Sequence, residues 1–82
     1  MKRDEIRTAV LEALLEIAPD VDASALDPAH AFRDQFDFDS MDYLNFVTAL
    51  HRRFGFDIPE HDYPELSSLE SSVGYLEAHL SA

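Results

Sequence analysis

Cysteine is absent from this 82-residue chain, so no disulfide can supplement its core. Basic residues are also scarce: six stand against 17 acidic ones, and the formal net charge is −11. A nucleic-acid binder needs a basic face to displace counterions from phosphates, so this balance argues against that class of protein. It favours partners with basic docking patches. An acidic surface also keeps a small protein in solution, so charge alone identifies no partner.

Long apolar runs are missing as well. No segment approaches the roughly 20 apolar residues that a membrane span needs, so we expect no insertion into a bilayer. The N-terminal segment starts with basic residues but also carries Asp4, Glu5, Glu12 and Glu16, which indicates an amphipathic helix rather than a signal peptide. We therefore expect a cytoplasmic protein. The length and the 46% hydrophobic content favour a single folded domain over residues 1–82.

The spacing of apolar residues predicts a first helix over residues 4–17, with Asp4 as its cap. Its buried stripe consists of Ile6, Val10, Leu14 and Ile17. Residues 18–38 form a connection that would be unusually long in a compact domain without anchorage. We expect its apolar side chains to provide that anchorage, namely Val21, Leu26, Phe32 and Phe36. A short helical turn is predicted to begin at Asp27-Pro28.

A second long helix is predicted over residues 40–54, with Asp39 as its N-cap and Gly55 as its end. Asp42 supplies a weaker form of the capping-box acid. The predicted core face consists of Tyr43, Leu44, Val47, Leu50 and Phe54. Another face carries Met41, Asn45, Thr48 and Arg52. We interpret it as a docking face for partners, although single exposed apolar residues such as Met41 are also common on ordinary surfaces.

Two further helices complete the predicted fold. A short one opens at residues 57–60 and closes at Tyr63-Pro64, and the last begins at residues 67–70, which fit an S-x-x-E capping box. The buried stripe of the last helix consists of Leu69, Val73, Leu76 and Leu80. The sequence thus predicts an all-α fold: a small antiparallel bundle of three longer helices plus one short helix, with a long loop between helices one and two.

Ser40, at the head of the second helix, is the residue most open to a chemical role. A nucleophile elbow needs glycines two residues on either side of the serine, where this chain has Phe38 and Asp42. A Ser-His-Asp triad needs a histidine near Ser40, and so small a bundle offers no obvious cleft to align one. A calcium loop counted from Asp37 lacks the required residues at its fifth, sixth and twelfth positions. We therefore expect neither catalytic residues nor a metal site.

The D-S-M tripeptide at residues 39–41, which follows a long loop and opens a helix, resembles the D-S-L signature of acyl carrier proteins. Residues 36–38 stand where that family often has L-G-x, and residues 58–60 are similar to its I-P-[DE] motif. The last helix, over residues 66–76, is similar to that of the family in its distance from Ser40. The resemblance therefore covers nearly the whole chain.

This resemblance implies that Ser40 receives 4′-phosphopantetheine from coenzyme A, through a phosphopantetheinyl transferase that supplies magnesium and the base. The thiol of the arm would then carry acyl groups as thioesters between acyl-activating, acyl-transfer and condensing enzymes, and the carrier itself would catalyse nothing. We expect a free-standing monomer. The residues expected to take part in partner recognition are Asp37, Asp39, Met41, Asp42, Asn45, Thr48 and Arg52.

The chain departs from the family pattern on its second helix. Carriers of fatty acid synthases commonly have acidic residues where this chain has Asn45, His51, Arg52 and Arg53. We therefore expect a dedicated set of partners in a specialised lipid, polyketide or secondary-metabolite pathway rather than in primary fatty-acid synthesis. Peptidyl and D-alanyl carriers share the fold and the serine and remain alternatives. A carrier-like interaction module that is never modified is a further one, and a small hydrolase using Ser40 has little support.

Overall fold

The computed structural model describes residues 2–80, and all regular structure in that range is helical. Three long helices form the bundle: α1 (Arg3–Ile17), α3 (Ser40–Phe54) and α4 (Leu69–Leu80). The short elements are a 3₁₀ turn (Ala23–Ala25), α2 (Phe32–Gln35) and a 3₁₀ helix (Glu60–Leu66). The predicted all-α bundle is confirmed. Within the described range, no helix is long and apolar enough to cross a membrane.

Helix α1 buries the predicted stripe against α3 and α4, since Ile6, Val10 and Leu14 are fully buried and Ile17 is partly so. The predicted cap is wrong, because the helix begins at Arg3 and Asp4 lies inside its first turn. The Lys2 backbone N–H instead donates to the Glu5 carboxylate at 2.9 Å. Two acidic residues in this turn still favour the positive end of the helix dipole.

The connection between α1 and α3 is anchored mainly by Phe32, which is 1% exposed, while Val21, Leu26 and Phe36 are half-buried. Two backbone hydrogen bonds, each 2.8 Å long, tie it to the start of α4 and to the residues just before that helix. In one the Phe32 N–H donates to the Ser67 carbonyl, and in the other the Glu70 N–H donates to the Pro28 carbonyl. These bonds explain how so long a connection holds one path across the bundle.

The helical turn within this connection lies later than predicted. The Asp27 carboxylate accepts hydrogen bonds from the Ala29 N–H at 2.9 Å and from the His30 ring at 2.7 Å, so Asp27-Pro28 closes a turn rather than opening a helix. The helical turn is α2, four residues further on. Its Gln35 side chain accepts from the Asp27 N–H and donates to the Asp27 and His30 carbonyls, which fixes α2 against the turn.

An aromatic cluster fills the space between the connection and α3. Its rings are those of Phe32, Phe36, Phe38, Tyr43, Phe46 and Tyr63. Phe32 is at its centre, with ring centroids 5.4 Å from Phe46, 5.7 Å from Phe38 and 6.0 Å from Phe36. Most pairs meet edge to face, an arrangement that adds about 0.5–1.5 kcal/mol to the burial of each pair.

The aromatic cluster sets the rotation of α3 and overturns one prediction. The buried residues of this helix are Phe46, Val47, Ala49 and Leu50, whereas Leu44 is 47% exposed. Phe46 packs on Phe32 and Phe38, and a residue two positions earlier on a helix cannot share its face. Leu44 therefore faces solvent. Leu80 is also more exposed than predicted, at 36%, because it lies in the last turn of α4.

The boundaries of the last two elements differ from the prediction. The 3₁₀ helix begins at Glu60 and runs through Pro64 to Leu66, so Tyr63-Pro64 does not close it. The fixed φ of proline suits 3₁₀ geometry. The capping box of α4 lies one residue later than predicted: the Ser68 and Ser71 hydroxyls accept from each other's backbone N–H groups, both at 3.2 Å. A serine thus replaces the expected acidic partner.

Tyr75 joins α4 to the 3₁₀ helix. Its side chain is 6% exposed, and its hydroxyl donates to the Asp62 carboxylate at 2.8 Å. Burial raises the pKa of Tyr75 to about 12, and the hydrogen bond to Asp62 and the charges of Asp62 and Glu65 act in the same direction. The neutral phenol is therefore the form that the fold stabilises.

We predict that Tyr75→Phe lowers the free energy of unfolding by about 1 kcal/mol, because the Asp62 carboxylate loses a buried donor. Unfolded tyrosine ionises near pH 10, whereas folded Tyr75 keeps its proton to about pH 12, so the wild type loses stability between these values. The variant should lose less over that range. Urea unfolding as a function of pH measures both effects. Equal slopes for the two proteins would contradict the prediction.

Candidate functional site

Ser40 is the first residue of α3 and is exposed, and its neighbours do the capping. The Asp39 carboxylate accepts from the Asp42 N–H at 2.8 Å, and the Asp42 carboxylate accepts from the Asp39 N–H at 3.3 Å. Both predicted capping roles are confirmed, as is Gly55 as the C-terminal stop, with a φ of 75°. The Ser40 hydroxyl forms no hydrogen bond within residues 2–80. It is therefore free for another use.

The electrostatics at this position act in two directions. The N-terminus of a 15-residue helix favours a negative group, and its first backbone N–H groups can donate to one. The side chains of Asp37, Asp39 and Asp42 oppose such a group by like-charge repulsion. Asp37 is exposed and makes no hydrogen bond in the described part of the chain, so it adds charge without a structural contact.

A groove opens beside Ser40, with a volume of about 710 Å³. Its apolar wall is formed by Phe32, Phe38, Tyr43, Leu44, Tyr63 and Pro64. Its polar lining consists of Arg33, Asp39, Ser40 and Ser67. Because four of these residues belong to the aromatic cluster, the packing that anchors the connection also forms the wall. We call this feature the Ser40 groove.

Tyr43, in the wall of the Ser40 groove, has a buried hydroxyl without a hydrogen-bond partner among the described residues. Burial raises the pKa of this hydroxyl, and the neighbouring Tyr63 adds to the effect. A buried unsatisfied hydroxyl costs about 1–3 kcal/mol, so the ring contacts of Tyr43 with Phe38 and Tyr63 must offset that cost.

The proposed docking face of α3 is exposed along its length, as the predicted Met41, Asn45, Thr48 and Arg52 all face solvent. Met41 is 66% exposed and Leu44 47%, so two large apolar side chains stand next to Ser40. Sequence reasoning missed Leu44 as a surface residue. The sequence offered one signal: Leu44 and Phe46 cannot both face the core, so one of them had to be exposed. The packing of Phe46 on Phe32 decides that it is Leu44.

Two of the basic positions on α3 are already engaged within the fold. Arg53 forms ion pairs with Glu16 at 2.6 Å and Glu12 at 3.4 Å, which join α3 to α1. The His51 ring bonds the Phe56 carbonyl at 2.8 Å. Arg52 forms no ion pair within residues 2–80 and is exposed. Of the four positions that depart from the family pattern, Asn45 and Arg52 therefore keep their polar groups open to a partner.

The arrangement offers little for hydrolysis or metal binding. Each of the four histidines contacts a residue other than Ser40 through its ring nitrogens. The pairs are His30 with Asp27, His51 with Phe56 and Asp57, His61 with Asp62, and His79 with Tyr75. No hydrogen bond joins a histidine to Ser40 among the described residues. In the same range no group of three or more potential ligands is placed to hold a metal ion. Within residues 2–80, no histidine is therefore hydrogen-bonded to the serine as a base.

Comparison with known proteins identifies the family. The family described as "Phosphopantetheine attachment site" matches residues 5–76. An acyl carrier protein of Rubrobacter xylanophilus is 30% identical over 79 residues, which cover 93% of this chain and 98% of that protein. The chain belongs to the acyl carrier protein family. Membership implies a covalently attached 4′-phosphopantetheine group.

Other carriers of this family are similar over most of the chain. An acyl carrier protein of Acidothermus cellulolyticus is 29% identical over 76 residues, covering 93% of this chain and 89% of that protein. Mitochondrial acyl carrier protein 2 of Arabidopsis thaliana is 28% identical over 82 residues, covering the whole chain and 64% of that protein. Both are named as carriers.

The site fits the family's prosthetic group. Ser40 has an exposed hydroxyl without a hydrogen bond in the described range, at the start of a helix and at the edge of an apolar groove. A serine that capped α3 would have its oxygen occupied by a backbone N–H. Because Asp39 and Asp42 cap the helix, a phosphodiester at Ser40 would cost the fold no cap.

We predict that Asp39→Ala lowers the free energy of unfolding by about 1 kcal/mol, because α3 loses its N-cap acceptor, and that Asp39→Asn retains most of the stability. Asp37→Ala is the matched control. Asp37 lies two residues before Asp39 and carries the same charge, but its side chain forms no hydrogen bond in the described range. We expect it to change stability by less than about 0.5 kcal/mol. Equal losses in Asp39→Ala and Asp37→Ala, measured by urea unfolding, would show that charge rather than capping is responsible.

Proposed function

We propose that Ser40 is the attachment site of 4′-phosphopantetheine and that the protein carries acyl groups between partner enzymes. One observation carries the proposal: Ser40 is exposed in the first turn of α3, with its capping work done by Asp39 and Asp42. When attached, the group supplies a thiol that holds acyl chains as thioesters. The protein itself positions the arm, and catalysis belongs to its partners.

The chemistry of attachment requires a base for the Ser40 hydroxyl proton. The serine oxygen attacks the phosphorus of the coenzyme A pyrophosphate next to the pantetheine, forming a phosphodiester while adenosine 3′,5′-bisphosphate leaves. The serine proton must pass to a base, and none of the histidines in the described range is bonded to Ser40. The base and the magnesium would therefore come from the phosphopantetheinyl transferase.

The surface around Ser40 suits docking by such partners. Met41 and Leu44 offer exposed apolar contacts, and the aspartates at positions 37, 39 and 42 offer negative charge to a basic patch. The net charge of −11 would draw basic partners from a distance. We propose that the carrier works as a monomeric single domain in the cytoplasm, with acyl-activating, acyl-transfer and condensing enzymes as further partners.

The charges on α3 favour a dedicated pathway over primary fatty-acid synthesis. Asn45 is neutral and Arg52 is positive and exposed, so a partner that docks through arginines would meet no attraction at the first position and repulsion at the second. We therefore propose service in a specialised lipid, polyketide or secondary-metabolite pathway. Peptidyl and D-alanyl carriers remain the alternative within the same chemistry.

We predict that incubation with coenzyme A, magnesium and a promiscuous phosphopantetheinyl transferase adds one phosphopantetheine, detected by intact-protein mass. Ser40→Ala should abolish the gain. Ser24→Ala is the matched control, because Ser24 is also exposed and also follows an aspartate cap, Asp22. We expect it to be modified as the wild type is. A wild type without mass gain would instead support an unmodified interaction module.

We predict that this carrier, in holo form, is a poor substrate for ketosynthases of fatty acid synthases that dock through arginines. The double variant Asn45→Glu/Arg52→Glu should lower the KM by roughly three- to tenfold with little change in kcat, since rim charges contribute about 0.2–1 kcal/mol each. The control for net charge is Arg7→Glu on α1, which reproduces two of the three charge units that the double variant changes. Wild-type turnover equal to that of a housekeeping carrier would refute the dedicated-partner proposal.

A further inference from the structure

Arg33 has an unusual setting in the sequence. It is the only lysine or arginine between Arg7 and Arg52, a stretch that contains nine acidic residues. In the structure it is exposed and forms no ion pair or hydrogen bond within residues 2–80. Arg3 and Arg53 form ion pairs with glutamates in the same range, whereas Arg7, Arg33 and Arg52 do not. Arg33 therefore has all of its donors available.

The fold holds Arg33 beside the attachment site. Arg33 and Ser40 both belong to the lining of the Ser40 groove. The backbone that carries it is firmly placed, because the preceding Phe32 is buried and bonded to the Ser67 carbonyl at 2.8 Å. Gln35, two residues on, bonds three backbone groups of the connection. A long side chain on a fixed backbone at a groove edge can reach a ligand without rearrangement of the fold.

The negative charges beside Ser40 would repel an attached anion, and a nearby cation would offset that repulsion. A phosphodiester at Ser40 would lie near Asp39 and Asp42, which repel it. The cap also engages the Asp42 N–H with Asp39, so this helix-terminal donor is not available to a new anion. A guanidinium can donate two parallel hydrogen bonds to a phosphate or a carboxylate and neutralises its charge.

We propose that Arg33 binds an oxyanion of the group attached to Ser40, either the phosphodiester next to the serine or a carboxylate at the far end of the acyl cargo. This inference rests on the proposed function. It assigns a polar recognition residue to a groove whose walls are otherwise mainly apolar. A carboxylate source would make the carrier selective for dicarboxylic acyl groups over monocarboxylic ones of equal length.

The experiment compares four forms of the protein: apo, holo, and holo loaded with a butyryl or a succinyl thioester. The two thioesters have the same chain length and differ in a terminal carboxylate. Each form is prepared for wild type, Arg33→Gln, Arg33→Lys and Arg7→Gln. Arg7→Gln is the matched control, because Arg7 is exposed on α1, makes no ion pair in the described range and carries the same charge. The readouts are Tm and the NMR resonance of the Arg33 side-chain Nε–H.

A phosphodiester source predicts that the Nε–H resonance shifts between apo and holo. It also predicts that Arg33→Gln lowers the Tm of holo relative to apo by about 2–5 °C compared with Arg7→Gln. A carboxylate source predicts that the Nε–H resonance shifts only between the butyryl and succinyl forms. It also predicts that Arg33→Gln lowers the Tm of the succinyl form relative to the butyryl form. In either case Arg33→Lys should keep part of the stabilisation by the oxyanion, since lysine retains the charge without the bidentate geometry. Salt at 1 M should weaken that stabilisation.

Two negative results have different meanings. A wild type that is modified but shows no shift of the Nε–H resonance, with Arg33→Gln behaving as Arg7→Gln in every form, would overturn the role of Arg33 and leave the carrier function intact. A wild type that gains no phosphopantetheine would overturn the proposed function first, and the Arg33 proposal with it. Intact mass, measured before the Tm series, separates the two.

Discussion

The burial of the Phe32 ring is the interaction on which the remaining structure depends. This ring contacts Phe36, Phe38 and Phe46 at centroid distances of 6.0 Å or less, and the backbone N–H of the same residue bonds the Ser67 carbonyl. One residue thus joins the connection to α3 and to the segment before α4. Removal of a buried phenylalanine ring costs about 3–5 kcal/mol, a large share of the stability of a small domain. The direction in which Ser40 is presented and the place of Arg33 both follow from this contact.

Capping and chemistry are divided between neighbouring residues at the start of α3. Asp39 and Asp42 satisfy each other's backbone N–H groups, so Ser40 can present its hydroxyl to a partner enzyme without a loss of helix stability. The same two carboxylates place negative charge where a phosphodiester would be attached. The helix dipole opposes that charge in part, and Arg33 is a cation in the lining of the groove. If Arg33 binds that anion as proposed, the site combines charges suited to docking with a local means of tolerating the anion.

The accuracy of sequence reasoning followed the range of the interactions involved. Asp39, Asp42 and Gly55 were predicted correctly, because a cap depends on residues three or four positions apart in the chain. The core face of α3 was predicted correctly at Val47 and Leu50 but wrongly at Leu44. Leu44 and Phe46 are both apolar, and contacts with the distant Phe32 favour burial of Phe46. The capping box of α4 was predicted one residue too early, because serines at successive positions offer equivalent local signals. Local signals also do not reveal the backbone hydrogen bond between Glu70 and the distant Pro28.

By itself, the sequence determined the three long helices, the aspartate cap, the free serine and the resemblance to acyl carriers, because helical periodicity, capping and motif spacing are local properties of the chain. Only the tertiary structure decided which apolar residue of α3 is exposed, where the Ser40 groove lies, and which arginines are already paired. Those features arise where separate segments meet, and the packing of aromatic rings and the ion pairs between α1 and α3 decide them. Arg53 and Arg33 are alike in sequence, yet one joins two helices and the other stands unpaired, within residues 2–80, at the mouth of the groove.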